Sequence, residues 1–368
     1  MKFFCNQKDF DEALNIVNKA ISPNNTLPVL NNILIKAEGK KLYFSSTNLE
    51  IAINCSIEAD VRSEGAITVP AKLITGYISL LADEKVEVSV VEGVTLNINS
   101  SSSNTKIKCI SADEFPLIPK IDKNKEFTVK IEDFILGVNE TVFAASVNTS
   151  RPVLSGVLMI VKDGSLKLVA TDSYRLAEKK LSLSKKSDDE VSCIIPARTM
   201  AELAKIIGRA GEKELRINVT NSQILFTSDG VELISRLIEG KFPDYEKIIP
   251  KDHKTSFEVS TEALSLVLKR VSLFARENNN SVKISVTNDG KAIVSSDETK
   301  VGEEKAELLI KIEGENNKIS LNAQYLLDVL TYINEEKVSF TMNDKLSPAV
   351  IRPAKGEGYV YIIMPLKV

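Results

Sequence analysis

The chain has 368 residues, 43% of them hydrophobic, and sets 47 Lys and Arg against 50 Asp and Glu for a net charge of -3. That length is too great for one core and fits two or three ordinary domains. The charge balance excludes the uniformly basic surface of a simple nucleic-acid coat, so any basic face must be local.

Residues 1–122 read as a first domain. Phe10, Ala13, Leu14, Val17 and Ile21 keep helical spacing, and a second helix is expected after Pro70-Ala71, with Ile74, Tyr77, Ile78 and Leu81 on its apolar stripe. Val86 to Val90 alternates as a half-buried strand. A polar connection near 122–127 leads into a second domain, 127–250. Its first helix carries Phe134, Val138 and Val142; its second, after Pro196-Ala197, carries Met200, Leu203, Ala204 and Ile207. Leu215 to Val219 reads as a strand, and Asp163-Gly164 and Asp229-Gly230 as hairpin turns. Another connection near 250–256 opens a third domain, 254–368. Here Leu264, Val267, Leu268 and Val271 mark one helix. Leu326, Val329, Leu330 and Ile333 mark another after Asn322-Ala323, with a strand at Val282 to Val286 and a turn at Asn288-Asp289-Gly290.

The three segments repeat one another. Pro28-Val29-Leu30 returns as Pro152-Val153-Leu154, and Leu30 to Leu154 and Thr47 to Thr171 share an offset of 124 residues. Val69-Pro70-Ala71 returns as Ile195-Pro196-Ala197, and Phe115-Pro116 as Phe242-Pro243. A third, worn copy pairs Phe127-Thr128-Val129 with Phe257-Glu258-Val259, and Ala170-Thr171-Asp172 with Ser295-Ser296-Asp297. The fold class is therefore α+β: three repeated domains, each with two helices packed on one face of antiparallel sheets.

Little in the chain points to catalysis. His253, the single histidine, lies in the polar connection Pro250-Lys251-Asp252-His253-Lys254 with no nucleophile placed beside it. There is no phosphate-cradling glycine loop, no nucleophile elbow and no set of metal ligands at ordinary spacing. Asp188-Asp189-Glu190 and Glu303-Glu304 read as exposed charge near turns. Cys5, Cys55, Cys109 and Cys193 lie far apart, as expected of reduced, buried thiols in a cytosolic protein. Lys2, Lys8, Asp9, Asp11 and Glu12 interrupt any apolar leader, and no apolar run reaches membrane-spanning length. The expectation is a soluble, cytoplasmic chain with no catalytic residues, metal or cofactor.

Helix faces are more informative. Arg198, Lys205 and Arg209 run along the side opposite Met200, Leu203 and Ile207, and Lys269, Arg270 and Arg276 follow suit in the third domain. Residues 197–209 and 262–276 together hold six bases against two acids, Glu202 and Glu262. On these residues alone an ordinary solvated face is the better explanation.

Met1-Lys2-Phe3, Thr26-Leu27-Pro28-Val29-Leu30, residues 170–177 (Ala170-Thr171-Asp172-Ser173-Tyr174-Arg175-Leu176-Ala177), Phe242-Pro243-Asp244-Tyr245 and Tyr361-Ile362-Ile363-Met364-Pro365-Leu366 together closely resemble the bacterial DNA polymerase III beta subunit family, the sliding clamps. The resemblance runs the full length. It implies a non-catalytic processivity subunit of the polymerase III holoenzyme, built as a homodimeric, ring-forming set of clamp domains. Duplex DNA would be encircled without sequence readout, by a bore lined with Lys72, Arg198, Lys205, Arg209, Lys269, Arg270 and Arg276. The interface would set Lys106, Ile107, Lys108 and Cys109 of the first domain against Leu273, Phe274, Glu303, Glu304 and Glu307 of the third. A peptide pocket for the polymerase III alpha subunit, the clamp loader, other polymerases and repair proteins would comprise Leu154, Thr171, Ser173, Tyr174, Arg175, Leu176, Pro243, Lys247, Ile248, Asn322, Tyr325, Ile362, Ile363, Met364, Pro365 and Leu366. The chain departs from the family pattern at Asn24 and Pro152-Val153, where some members carry an arginine and tyrosines, and at Tyr174 and Lys247, where histidine and arginine occur. Two other readings remain open on the residues alone: a repeat-built peptide scaffold without DNA, and a hydrolase whose carboxylates converge only in the fold.

Overall fold

A computed structural model of the chain describes residues 1–22, 27–82, 84–91, 94–121, 125–148, 150–185, 189–208 and 213–366. Six α-helices appear among them: α1 (Gln7–Val17), α2 (Ala71–Ser79), α3 (Ile131–Val142), α4 (Ala197–Ile206), α5 (Thr261–Ala275) and α6 (Ala323–Tyr332). Each falls on an apolar stripe read from the sequence. Four stripe residues do not belong to helices: Ile21, Leu81, Ile207 and Ile333, each just past a helix end. The first helix ends at Val17 and tightens into the 3-10 turn Asn18–Ala20, leaving Ile21 extended and half-buried. The second ends at Ser79, leaving Leu81 outside it. No helix among the described residues is long and apolar enough to cross a membrane.

Contacts divide the chain into two compact units that cut across the sequence repeats: residues 1–131 with 202–237, and residues 132–201 with 238–368. In unit 1, an eight-stranded sheet runs in the order Glu126–Lys130, Glu214–Val219, Gln223–Ser228, Val231–Arg236, Ile51–Glu58, Lys41–Thr47, Asn32–Glu38, Gly65–Pro70. The join is antiparallel pairing of Val231–Arg236 with Ile51–Glu58, Leu233 opposite Ile53 and Ile234 opposite Ala52. A second sheet of five strands has Asn104–Lys108 at one edge. α1 buries Phe10, Ala13, Leu14 and Val17, and its Gln7 Nε2 donates to the Ile78 carbonyl of α2 at 2.7 Å. Phe10 meets Phe3 edge-on at 6.2 Å and Phe44 at 5.7 Å between ring centres, a geometry that aromatic quadrupoles favour.

Unit 2 repeats the plan. Its nine-stranded sheet joins Arg175–Ser182 to Tyr359–Ile363, with Leu176 opposite Ile362. Its four-stranded sheet has Lys305–Leu309 at an edge. Every strand pair among the described residues is antiparallel, the arrangement in which one-sided burial and an alternating sequence commonly occur. α5 is capped by Ser260, whose hydroxyl accepts from the Ala263 N–H at 3.3 Å, and α6 by Asn322. Phe257 stacks on Phe340 at 4.9 Å.

The Asp-Gly turns form as expected. Asp163 and Gly164 sit at φ 51 and 69, and Asp229 and Gly230 at 50 and 72, the double left-handed turn whose twist matches paired strands. At Asn288-Asp289-Gly290 only the glycine is left-handed, at φ 79.

Candidate functional site

In unit 2 the residues read as a peptide pocket gather around the turn between strands Ser165–Thr171 and Arg175–Ser182. Thr171 Oγ1 donates to the Arg175 carbonyl at 2.7 Å and accepts from the Ser173 N–H at 3.1 Å. Asp172 Oδ1 takes the N–H groups of Tyr174 and Arg175 at 2.9 and 3.0 Å. These bonds hold Ser173 at φ 79, a conformation that costs an L-residue energy without such support. The turn thereby presents Tyr174, which is 63% exposed. Beneath it Leu176 and Ile362 join Leu158, Val169, Phe242 and Tyr245 in one apolar cluster. The backbone returns past the turn, with the Met364 N–H donating to the Tyr174 carbonyl at 2.8 Å and the Leu366 N–H to Ser320 at 2.8 Å. Ile248, on the 3-10 turn Tyr245–Ile248, is 42% exposed.

Of the pocket residues read from the sequence, Tyr174, Ser173, Pro243, Lys247 and Ile248 are exposed, and Met364, Pro365 and Leu366 are half-buried. Leu154, Thr171, Leu176, Ile362 and Ile363 are buried. Besides the hydroxyls of the turn itself, three of the polar groups are already engaged. The Asn322 side-chain oxygen accepts from the Gln324 and Tyr325 N–H groups at 2.9 and 3.3 Å, capping α6. Lys247 is paired with Asp244 at 2.6 Å.

Arg175 is the third. Its Nε donates to Asp172 Oδ2 at 3.1 Å, Nη1 to Asp328 and Nη2 to the Phe143 carbonyl at 2.9 Å. The guanidinium lies 4.4 Å from the ring centre of Tyr325 and 5.6 Å from that of Phe143. With its side chain 11% exposed, Arg175 is a clamp between the turn and α6. Burial and the nearby Asp172 carboxylate raise the Tyr325 phenol above its ordinary value, so the ring under the guanidinium stays neutral. Asp328, Phe143, Phe242 and Tyr245 are parts of the site that the sequence reading missed. Asp328 carries no sequence signal, because its partner is 153 residues away.

Lys72, Arg198, Lys205, Lys269, Arg270 and Arg276 are all exposed on or beside helices; Arg209 and Asn24 lie outside the described residues. Lys205 pairs with Glu202 at 3.0 Å. Arg270 pairs with Glu304 at 3.6 Å, so one residue read as bore and one read as interface meet within the chain. On the edge strand Asn104–Lys108, Lys106 and Lys108 are exposed but Ile107 is only 3% exposed. Ile107 sits opposite Leu96 and turns into its own core. Cys109 is half-buried. Leu273 is 56% exposed, Phe274 half-buried, Glu303 exposed, and Glu307 pairs with Lys291 at 2.8 Å.

Comparison with known proteins decides the family. The DNA polymerase III beta subunit models match in series: the N-terminal domain over residues 1–119, the central domain over 128–244 and the C-terminal domain over 246–367. The chain belongs to the DNA polymerase III beta subunit family. The beta sliding clamp of Halalkalibacterium halodurans is 31% identical over 100% of both chains, and that of Staphylococcus epidermidis 30% identical over 100% of this chain and 99% of its own. Among solved structures, the DNA polymerase sliding clamp from Bacillus subtilis superposes with a TM-score of 0.96 at 29% identity, covering 100% of this chain and 99% of that one. The DNA polymerase III beta subunit from Thermotoga maritima gives 0.94 at 28% identity with the same coverage. The three clamp domains read from the internal repeats are those of the beta subunit, and the chain is a non-catalytic subunit of polymerase III.

Proposed function

We propose that this chain acts as a sliding clamp: two copies close into a ring around duplex DNA and tether the replicative polymerase to it. The observation that carries the reading is the unbroken match of three clamp domains from one end of the chain to the other. The domain limits proposed with it are 1–122, 127–250 and 254–368.

Ring closure needs two different faces that fit each other. The strands Asn104–Lys108 and Lys305–Leu309 each end a sheet and leave backbone groups without a neighbouring strand, and such edges pair readily. One edge carries Lys106 and Lys108; the other lies beside Glu303 and Glu307, with Leu273 and Leu309 exposed nearby. Opposite charge sets the register of such a head-to-tail contact. A bore presenting Lys72, Arg198, Lys205, Arg209, Lys269, Arg270 and Arg276 would attract phosphates in a chain of net charge -3, because only the lining need be basic. The unit 2 groove would receive short apolar motifs from the polymerase alpha subunit, the clamp loader and repair proteins on Leu176 and Ile362, once Tyr174 and Ile248 move aside. The compartment would be the cytoplasm, where the four thiols stay reduced.

Loading on nicked circular DNA by a clamp loader tests this. Protein retained on circles through a high-salt wash, and lost on linearisation, is topologically linked. Salt-sensitive loss from circles and linear DNA alike is the mark of surface binding and would overturn the reading.

A further inference from the structure

Unit 1 repeats the turn of unit 2. Thr47 Oγ1 donates to the Ile51 carbonyl at 2.9 Å and accepts from the Leu49 N–H at 3.0 Å. Asn48 Oδ1 takes the N–H groups of Glu50 and Ile51 at 3.0 and 2.9 Å. This is the turn at residues 171–175 repeated bond for bond, with Leu49 at φ 73 in the place of Ser173. Ala52 then lies opposite Ile234, as Leu176 lies opposite Ile362. Ile118 and Ile121 pack over Ala52, Leu225 and Ile234.

Beyond that apolar patch unit 1 has a feature of its own. Between residues 112–121 and the sheet face lies a cleft of about 910 Å³. The strand registers set Arg216, Thr227, Glu232, Asn54 and Ser45 side by side along its floor, one from each of five neighbouring strands. Two of these end in buried polar atoms without a partner, Thr227 Oγ1 and Asn54 Oδ1. Thr227 is 9% exposed. A buried hydroxyl left unpaired inside an open cleft calls for a ligand or an ordered water, because desolvation has already been incurred. One strand separates the two atoms, which sets them about 10 Å apart across the sheet. Three residues of a three-fold extended chain span about 9 Å and return the same face, so a peptide N–H and C=O can meet both. Lys36 is occupied by Glu38 at 2.8 Å, while Lys120 and Arg216 outnumber Glu232 along the cleft.

We propose that this cleft is a docking groove for an extended peptide that brings an apolar side chain to Ile118, Ile121 and Ile234 and a carboxylate to Lys120 and Arg216. The choice of a peptide rests on the reading of the unit 2 groove; the cleft and its unpartnered atoms do not.

The test uses the full chain and a fluorescein-labelled twelve-residue peptide alternating leucine and aspartate, followed by anisotropy. Arg216→Glu, on an exposed position, weakens binding by about tenfold or more, the effect of reversing a charge-assisted contact. Thr227→Val weakens it by about fivefold while the melting temperature holds or rises, since an unpaired hydroxyl has been removed. Ile248→Glu, in the unit 2 groove, leaves this binding event in place. If Ile248→Glu abolishes binding and the other two variants leave it unchanged, the probe uses the unit 2 groove. That result overturns this proposal and leaves the earlier reading standing. Absence of binding to the unaltered chain, or a Thr227→Val variant with raised melting temperature and unaltered affinity, also overturns it. The DNA-loading assay fails or succeeds independently of all three.

Discussion

Replacing Asp328 with asparagine should loosen unit 2 by a measurable but limited amount. Asp328 is the carboxylate on α6 that receives Arg175 Nη1, and the two side chains are 26% and 11% exposed. Removing one partner of a fully buried pair costs about 3–5 kcal/mol, and an exposed pair contributes about 0–1 kcal/mol. Asp328 keeps some contact with water, and Arg175 retains Asp172, the Phe143 carbonyl and the Tyr325 face. A loss of about 1–2 kcal/mol follows from these limits. For a cooperative unit of roughly 200 residues that corresponds to a fall in melting temperature of about 2–8 °C. Urea melts of Asp328→Asn, Arg175→Met and the double variant isolate the pair, and a coupling energy of about 1–2 kcal/mol is expected. A coupling below about 0.3 kcal/mol, the usual scatter of additive sites, would show that Arg175 is held by Asp172 and the rings alone, and that α6 does not depend on the clamp.

Burial pushes the thiols of Cys5, Cys55 and Cys193 up to about 12, so iodoacetamide at pH 8 should modify Cys109 first and the other three only after unfolding, as read by peptide mass spectrometry. Labelling of Cys109 that does not slow as protein concentration rises would count against the proposed interface. The Glu140 carboxyl is raised by burial although Lys179 stands 2.6 Å away. A carboxyl raised in the folded state binds its proton more tightly there, so its contribution is present below its unfolded value and lost as pH rises through its folded one. Relative to Glu140→Gln, the unaltered chain should therefore lose stability as pH rises from about 4.3, measured by urea midpoints; a relative gain over that range would mean that the ion pair outweighs burial.

Much of the candidate site was legible because it is local. The Thr171 and Asp172 hydrogen bonds span two to four residues, and the sequence shows that segment repeated from Thr47 at an offset of 124 residues, while the structure shows both copies to be turns. What sequence could not disclose was the use of each side chain. Asn322 suits a helix cap and a ligand contact equally, and only the structure shows it capping α6. Ile107 alternates with two exposed lysines whether its face meets a partner or its own core, and register against Leu96 decides for the core.

Sequence by itself determined the helices, the hairpin turns and the threefold repeat, because hydrophobic period, left-handed turn residues and internal likeness are properties of neighbouring positions. Tertiary structure alone decided how the repeats are divided into compact units. Pairing of Val231–Arg236 with Ile51–Glu58, and of Tyr359–Ile363 with Arg175–Ser182, carries each large sheet from one repeat into the next. A strand's alternation states that one face will be buried and is silent about which distant edge will supply the hydrogen bonds.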